Sequence, residues 1–474
     1  MKSSRRNKTS QKADLSKCLI RDAQEVLAKK GIEIEGSIVP DILSGAGCAI
    51  VEETRKGHKA TVARIPPDLV DHSLDTAPKA IDLYTAEGDL KVSLGKNGRF
   101  FSTGSSGMVY CDARTGNRAS TAADLGNFIR VADYLDQVHM VSTAMVPNDI
   151  DPTIQDAYRL LEVFKNSVKP VVTGIFPQAA RNNFERMKDM LIVIRGSEKA
   201  LRERPLAIFD CAPDPLKWSR ALGECIIECG TYGIPVEFVS MPQPGLSYPA
   251  TLYEAVVQSV AETFAGFVIS QAANEHAPVI WGGSPMTINF EKGRTDAELS
   301  SPGTIKMITA CASVANAYGV PTHTYAIADS PIIDAQYGIE KQRVISTAMR
   351  AGIDHITGLG MFGEEDVLSC EALVIDNDIA GAELYANTGI EQKRTDAAAD
   401  ISFLADEAVI DPETVGYLKS DEYFVPRVFN RDRSKPMLNR AIEAVEDILA
   451  QHNPEYLSGE QQRGLQSCLA QPNN

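Results

Sequence analysis

Local signatures of the commonest catalytic and metal-binding chemistries are missing from this chain. No CxxC pair and no HxC or HExxH pattern occurs, so no metal site is expected from neighbouring residues. No G-x-S-x-G elbow or Walker-type loop is present, which removes the familiar hydrolase and kinase signatures. Basic residues are in deficit, 47 against 63 acidic ones for a net charge of −16, and this disfavours non-specific attraction to nucleic acid or an anionic membrane. No charge-free apolar run reaches the roughly 18 residues of a membrane span. The first 14 residues are polar, without the apolar core of a secretory signal, so a cytoplasmic protein is expected. Nine cysteines, an odd number scattered over 474 residues, fit reduced thiols rather than a disulfide framework. Aromatics are scarce at 7%, with two tryptophans, so clustered aromatic residues stand out.

What is present is a long alternation. From Val138 onward, short apolar runs and helical patterns repeat at intervals of about 30 residues, the spacing of βα units. Strands are predicted at Val138 to Val146, Pro170 to Ile175, Pro205 to Cys211, Pro235 to Ser240, Pro278 to Gly282, Pro321 to Ile327 and His355 to Gly360. Five of these open with proline, tolerated at a strand's first position. Helices are predicted at Pro152 to Ser167, Asn182 to Arg195, Pro215 to Gly230, Pro249 to Asn274, Thr304 to Tyr318 and Ala335 to Ala351. Seven strands are one short of a TIM (β/α)8 barrel, and the eighth is sought in Arg99 to Tyr110 or Val374 to Ile379. A doubly wound open sheet is the rival. The expected organisation is a disordered tail (1–14), an N-terminal helical extension (15–100), a barrel domain (101–432) and a C-terminal helix and tail (433–474). Leu15 to Ala28 and Met437 to Gln451 read as amphipathic helices that pack on the barrel or on another subunit, and a homo-oligomer is expected.

The segment Gly319 to Lys341 (GVPTHTYAIADSPIIDAQYGIEK) carries polar and aromatic groups to a strand end, where a barrel places its chemistry. His323, Tyr325, Asp329 and Gln336 are therefore candidates. Trp281 and Phe362 are predicted near other strand ends, with Asp214 nearby, and Phe101 and Tyr110 come from the glycine-rich entry segment. Together they suggest a cage for a methylated ammonium. Gly358, Gly360 and Gly363 have the spacing of a dinucleotide fingerprint, but Glu364, Glu365 and Asp366 follow and would repel a pyrophosphate. A loop needing close backbone approach is the better reading. Cys225 and Cys229 share a helix face and read as core thiols.

Several passages together resemble the trimethylamine methyltransferase family: FFSTGSSGMVYCDARTGNR with its D-x-x-T-G element (Asp112 to Gly116), MPQPGLSYPATL (Met241 to Leu252), the D-S-x-x-x-D-A-Q element (Asp329 to Gln336) and MRAGIDHITGLGMF (Met349 to Phe362). The resemblance runs from about Gly31 to Asp432. It implies a β/α barrel that moves a methyl group from a methylamine to the cobalt of a corrinoid on a separate protein, with no cofactor held tightly by this chain. Founding members use pyrrolysine. Here the corresponding stretch, within Thr324 to Ser330, contains ordinary amino acids, so the chain is similar to the non-pyrrolysine branch, whose known members act on quaternary amines such as glycine betaine. A quaternary ammonium leaves as a neutral amine and needs no general acid, so no catalytic residue is assigned. The cage would desolvate the cation, and a polar group such as His323 would hold a betaine carboxylate. Leu418 to Arg427 lacks the family's H-T pair, which separates this chain from typical members. The alternatives are a betaine-binding regulatory barrel without turnover and a barrel methyltransferase using another acceptor such as a folate.

Overall fold

The computed structural model describes residues 2–175, 180–243, 245, 247, 251–289, 296–363, 365–390, 412–420, 422–430 and 434–471. Eight parallel strands organise it, labelled here β1 (Phe100–Thr103), β2 (Val141–Ser142), β3 (Val171–Gly174), β4 (Ala207–Cys211), β5 (Val236–Ser240), β6 (Val279–Gly283), β7 (His323–Tyr325) and β8 (His355–Leu359). Strands β2 to β6 pair in sequence order as one parallel sheet, and β7, β8 and β1 form a second. Single parallel bridges join the two: Ser102 with Met140 on one side and Trp281 with Thr322 on the other. The strand absent from the seven-strand reading is therefore Phe100–Thr103; Val374 to Ile379 lies within the helix Cys370–Ala386.

Helices Gln155–Asn166, Ala180–Arg195, Arg220–Tyr232, Leu252–Ala273, Pro302–Tyr318 and Ala335–Ala351 fall within a few residues of the predicted ones. Pro249 lies outside the described residues. Sequence chemistry accounts for the helix ends: Ser219, Thr251, Ser301 and Asp334 accept the first free N–H groups, and Gly233, Gly319 and Gly352 close the C-termini in the left-handed conformation. Helix Leu252–Ala273 is long and apolar enough in composition to cross a membrane, but 78% of its most apolar window is buried inside the fold. That is the environment of a core helix.

The N-terminal extension is not only helical. A helix runs from Lys2 to Lys29 where a disordered tail was expected up to residue 14, and packs on Leu252–Ala273 and Pro302–Tyr318. It is followed by the strands Ile32–Ile34, Ala49–Arg55 and His58–Arg64, whose alternating β-branched residues were not recognised, and by the hairpin Ile81–Tyr84 with Leu90–Leu94. The hairpin presents Ile81, Leu83, Val92 and Leu94 to Met140, Val172, Ile208 and Ile280, one from each of β3, β4 and β6 and one from the residue before β2. At the other end of the chain, Met437–Gln451 is helical as predicted and packs on Cys370–Ala386. Gly459–Leu469 is also a helix, started by a Ser458/Gln461 capping box and held by buried Leu465 and Cys468, where a loose tail was expected.

Candidate functional site

Side chains two apart on a strand share a face. Met140, Val172, Ile208 and Ile280 form an apolar layer; two residues further along β3, β4 and β6 lie Gly174, Asp210 and Gly282, and two beyond His323 on β7 lies Tyr325. Gly174, Asp210 and Tyr325 line a cavity of about 410 Å³ at the C-terminal strand ends. Val239 and Met241 follow from β5, Ser105 and Ser106 from β1, and Met361 and Glu365 from β8. Ile175, Leu222 and Arg159 complete its main walls. Two of these residues have left-handed backbone, Ser106 at φ 67° and Glu365 at φ 67°. Neither is a glycine, and such conformations cost free energy and cluster where function dictates side-chain direction.

The charged groups here are strongly perturbed. Burial pushes the Glu365 carboxyl up to about 7, aided by the negative charge of Asp329. Burial and the neighbouring Glu237 carboxyl hold Asp210 well above the usual range. Burial lowers the Arg159 guanidinium to about 10, against the pull of Asp156. Arg159 is fixed through Ser106 Oγ at 3.0 Å and the Thr143 carbonyl. Two carboxyl groups, one guanidinium, one phenol and a thioether-rich wall thus share one small cavity.

Directly beneath lies a fully buried polar layer. Glu237 is the register partner of Asp210 across β4 and β5, and His323 is that of His355 across β7 and β8. Glu237 Oε2 lies 2.9 Å from His355 Nδ1, and Oε1 lies 3.1 Å from His323 Nδ1. Only the first contact is aligned as a hydrogen bond; among the described residues His323 has no hydrogen-bond partner at either nitrogen. The bare backbone of Gly282 makes room, since a Cβ there would stand 2.9 Å from His323 Nδ1.

Of the eight residues singled out from sequence, Tyr325 lines the cavity and His323 lies in the layer below it. The other six are elsewhere. Trp281 follows inward-facing Ile280, so it points outward, between Phe264 and Phe267 of a covering helix. Phe362 packs on Tyr337 and Phe101 stacks on His139, both fully buried. Tyr110 sits on the hairpin Val109–Asp112/Gly116–Ala119 under the Arg118 guanidinium. Asp329 accepts hydrogen bonds from the Leu299 and Ser300 N–H groups and from Ser300 Oγ, and Gln336 is bonded to Glu340. The strands do not bring these aromatic residues together as a cage. Asp214 stands instead beside a separate groove near Lys217.

Asp210, Glu237, His355, Arg159 and Glu365 were not identified as site residues. A signal existed for two: Asp210 and Glu237 are single acidic residues inside otherwise apolar strands, AIFDC and VEFVS. The glycine motif leads into a β-hairpin, Met361–Phe362 with Val367–Leu368, and not into a helix; Glu364 lies outside the described residues. Cys225 and Cys229 are buried with sulfurs 4.0 Å apart. Asp112 folds the D-x-x-T-G element into a turn by accepting the N–H groups of Arg114 and Thr115. The segment after Leu418 is tied to the outer helix Cys370–Ala386, where Asp378 accepts the N–H groups of Arg427, Val428 and Phe429.

Comparison with known proteins gives a consistent result. The family model described as trimethylamine methyltransferase (MTTB) matches residues 6–408. Trimethylamine methyltransferase MttB of Desulfitobacterium hafniense is 28% identical over 445 residues, covering 91% of this chain and 88% of that protein. A glycine betaine methyltransferase of the same species is 23% identical over 384 residues, covering 80% and 78%. Among solved structures, the hydroxylamine complex of MtmB matches with a TM-score of 0.55 at 11% identity, covering 92% of this chain and 87% of that one. The last likeness concerns the fold alone.

Proposed function

Because the chain belongs to the trimethylamine methyltransferase family, we propose that it removes a methyl group from a quaternary amine, a betaine, and passes it to a corrinoid carried by a separate protein. The observation that carries this reading is the polar pattern of the cavity: Glu365 and Tyr325 for a cation, and Arg159 for a carboxylate, in about 410 Å³. A volume of that order suits a small zwitterion. It is too small to enclose a corrin as well, so the corrin is presented at the mouth by its partner.

When bound, the corrinoid supplies the Co(I) nucleophile. The residues of this chain bind and orient. Tyr325 offers its π face to the methyl groups, and Met241 and Met361 exclude water with soft, polarizable surface. Ionised Glu365 attracts the ammonium, and Arg159 holds the carboxylate through its planar fork. Fixing one methyl toward the mouth turns an encounter into an oriented displacement. The departing amine is neutral, so no residue need donate a proton. Tyr325 falls in the stretch where founding family members place pyrrolysine, which agrees with a non-pyrrolysine mechanism.

This reading includes a closed (β/α)8 barrel. Its support is the pair of single bridges between the two parallel sheets and the alternation of strands with helices. Cytoplasmic function and a homo-oligomer belong to the same proposal. The test is direct: the purified protein with a betaine and reduced corrinoid protein should methylate the cobalt, read from its absorption spectrum. Methylation from none of a panel of betaines, carnitine and choline would reject the reaction. A betaine that raises Tm without turnover would instead favour the binding-protein alternative.

A further inference from the structure

A directed chain of hydrogen bonds fixes the tautomer of His355. Thr357 Oγ1 donates to the Thr103 carbonyl at 2.8 Å, and Ser102 Oγ donates to Thr357 Oγ1 at 2.7 Å. A carbonyl cannot donate, so the chain runs one way and Ser102 must accept its 2.8 Å contact from His355 Nε2–H. In neutral His355, Nδ1 then carries a lone pair, and it faces Glu237 Oε2 at 2.9 Å. The other carboxylate oxygen is 3.1 Å from His323 Nδ1, and among the described residues that buried imidazole has no aligned hydrogen-bond partner at either nitrogen. A carboxyl group has one proton to give. Given to His355 through Oε2, it leaves Oε1 able only to accept, and the contact of Oε1 with His323 Nδ1 is close but not aligned as a hydrogen bond.

We propose that Glu237, His323 and His355 are the protein ligands of one divalent transition-metal ion of the zinc class, held among β5, β7 and β8 below the cavity. The donor atoms all lie within 4.8 Å of one another. Tetrahedral zinc with bonds of about 2.0–2.1 Å separates its ligands by roughly 3.3 Å. The contacts of 2.9 Å from Oε2 to His355 and 3.1 Å from Oε1 to His323 are shorter than that, so the three side chains must open to admit the ion. Two imidazoles and a carboxylate suit zinc-class ions, and Ser102 is the outer partner that ligating histidines usually have. Asp210 is buried beside Glu237 as its register partner across β4 and β5, and it offers a carboxylate for a fourth position. The ligands come from three strands, 86 and 32 residues apart (237 to 323, 323 to 355), which is why local spacing does not reveal them.

This inference does not depend on the methyl-transfer reading, because metal content is measured without turnover. Full-length protein unfolded with chelator, refolded with Co(II) or Zn(II) and desalted should retain one equivalent by elemental analysis, and the cobalt form should show intense ligand-field bands of a low-symmetry site. The variant Glu237→Gln can still donate a hydrogen bond to His355 Nδ1, so it should keep the fold by circular dichroism and lose at least nine-tenths of the metal. Folded wild-type protein that retains no metal after this treatment would overturn the proposal and leave a shared proton as the bond between Glu237 and His355. Full metal retention by folded Glu237→Gln would overturn the assignment equally.

Discussion

Two buried polar clusters lie on opposite sides of the strand ends and are built on opposite principles. Outside β7 and β8, Lys341 Nζ donates to the Ala326 and Gly358 carbonyls at 2.8 and 2.6 Å and pairs with Asp376 at 3.1 Å. Asp376 in turn accepts from Tyr337 and the Gly360 N–H, so every charge is answered. Inside, among the described residues, His323 has no aligned hydrogen-bond partner at either nitrogen and Glu237 has none at Oε1. A native interior pairs nearly all its buried polar groups, and exceptions gather at sites that bind something. The first cluster clamps the strand ends in place. The second is the one with unused capacity.

The largest effect should come from breaking the satisfied cluster. Lys341→Met strands a buried carboxylate and should cost about 3–5 kcal/mol in urea unfolding. Adding Asp376→Leu should recover a good part of that loss; a Lys341→Met variant as stable as the parent would remove the clamp from the account. Within the cavity, Tyr325→Ala should weaken betaine binding in calorimetry by ~1–2 kcal/mol, on the scale of a desolvated cation–π contact. Unchanged affinity would place the ammonium elsewhere.

The pH dependence follows from Glu365. Its carboxyl titrates near 7 in the fold against 4.5 unperturbed, so between these values the native state binds more protons than the unfolded one. Stability contributed by this group therefore falls as pH rises from about 4.5 to 7, and Glu365→Gln should remove that slope. Affinity for a quaternary ammonium should move the other way, rising as Glu365 ionises. If the bound cation lowers the Glu365 pKa by one unit, the gain is about tenfold between the two limits. Calorimetry below and above neutrality reads it, and a flat profile would detach Glu365 from the ligand. The smallest effect is expected at His323: in chelated protein, His323→Leu should change stability by less than about 1.5 kcal/mol, because it removes an imidazole with no hydrogen bonds and roughly conserves volume. A loss matching that of Lys341→Met would make the two clusters alike and cancel the comparison.

The alternation of elements was readable because proline openings and helix caps are local. The first strand was ambiguous because Phe100–Thr103 is short and sits among glycines and serines, and the sealing hairpin because its apolar residues pair only with distant strands. Site residues fared differently. Tyr325 was found through its place at a strand end, but Trp281, Phe101 and Phe362 turn to the helix side, which only the strand register decides. Asp210 and Glu237 could have been found by asking why an acid interrupts an apolar strand. Arg159 comes from a helix, and nothing local distinguishes it.

The hairpin Ile81–Tyr84/Leu90–Leu94 has a kinetic consequence. Its Ile81, Leu83, Val92 and Leu94 pack on the apolar layer of the strands and seal that end, so the cavity opens only at the C-terminal strand ends. In the proposed reaction, substrate and methyl acceptor would share that opening, and whichever arrives second covers the first. A compulsory order is expected, with the amine loading before the carrier protein docks and the demethylated amine escaping only after the carrier departs. Initial-rate and product-inhibition patterns would distinguish this from random binding.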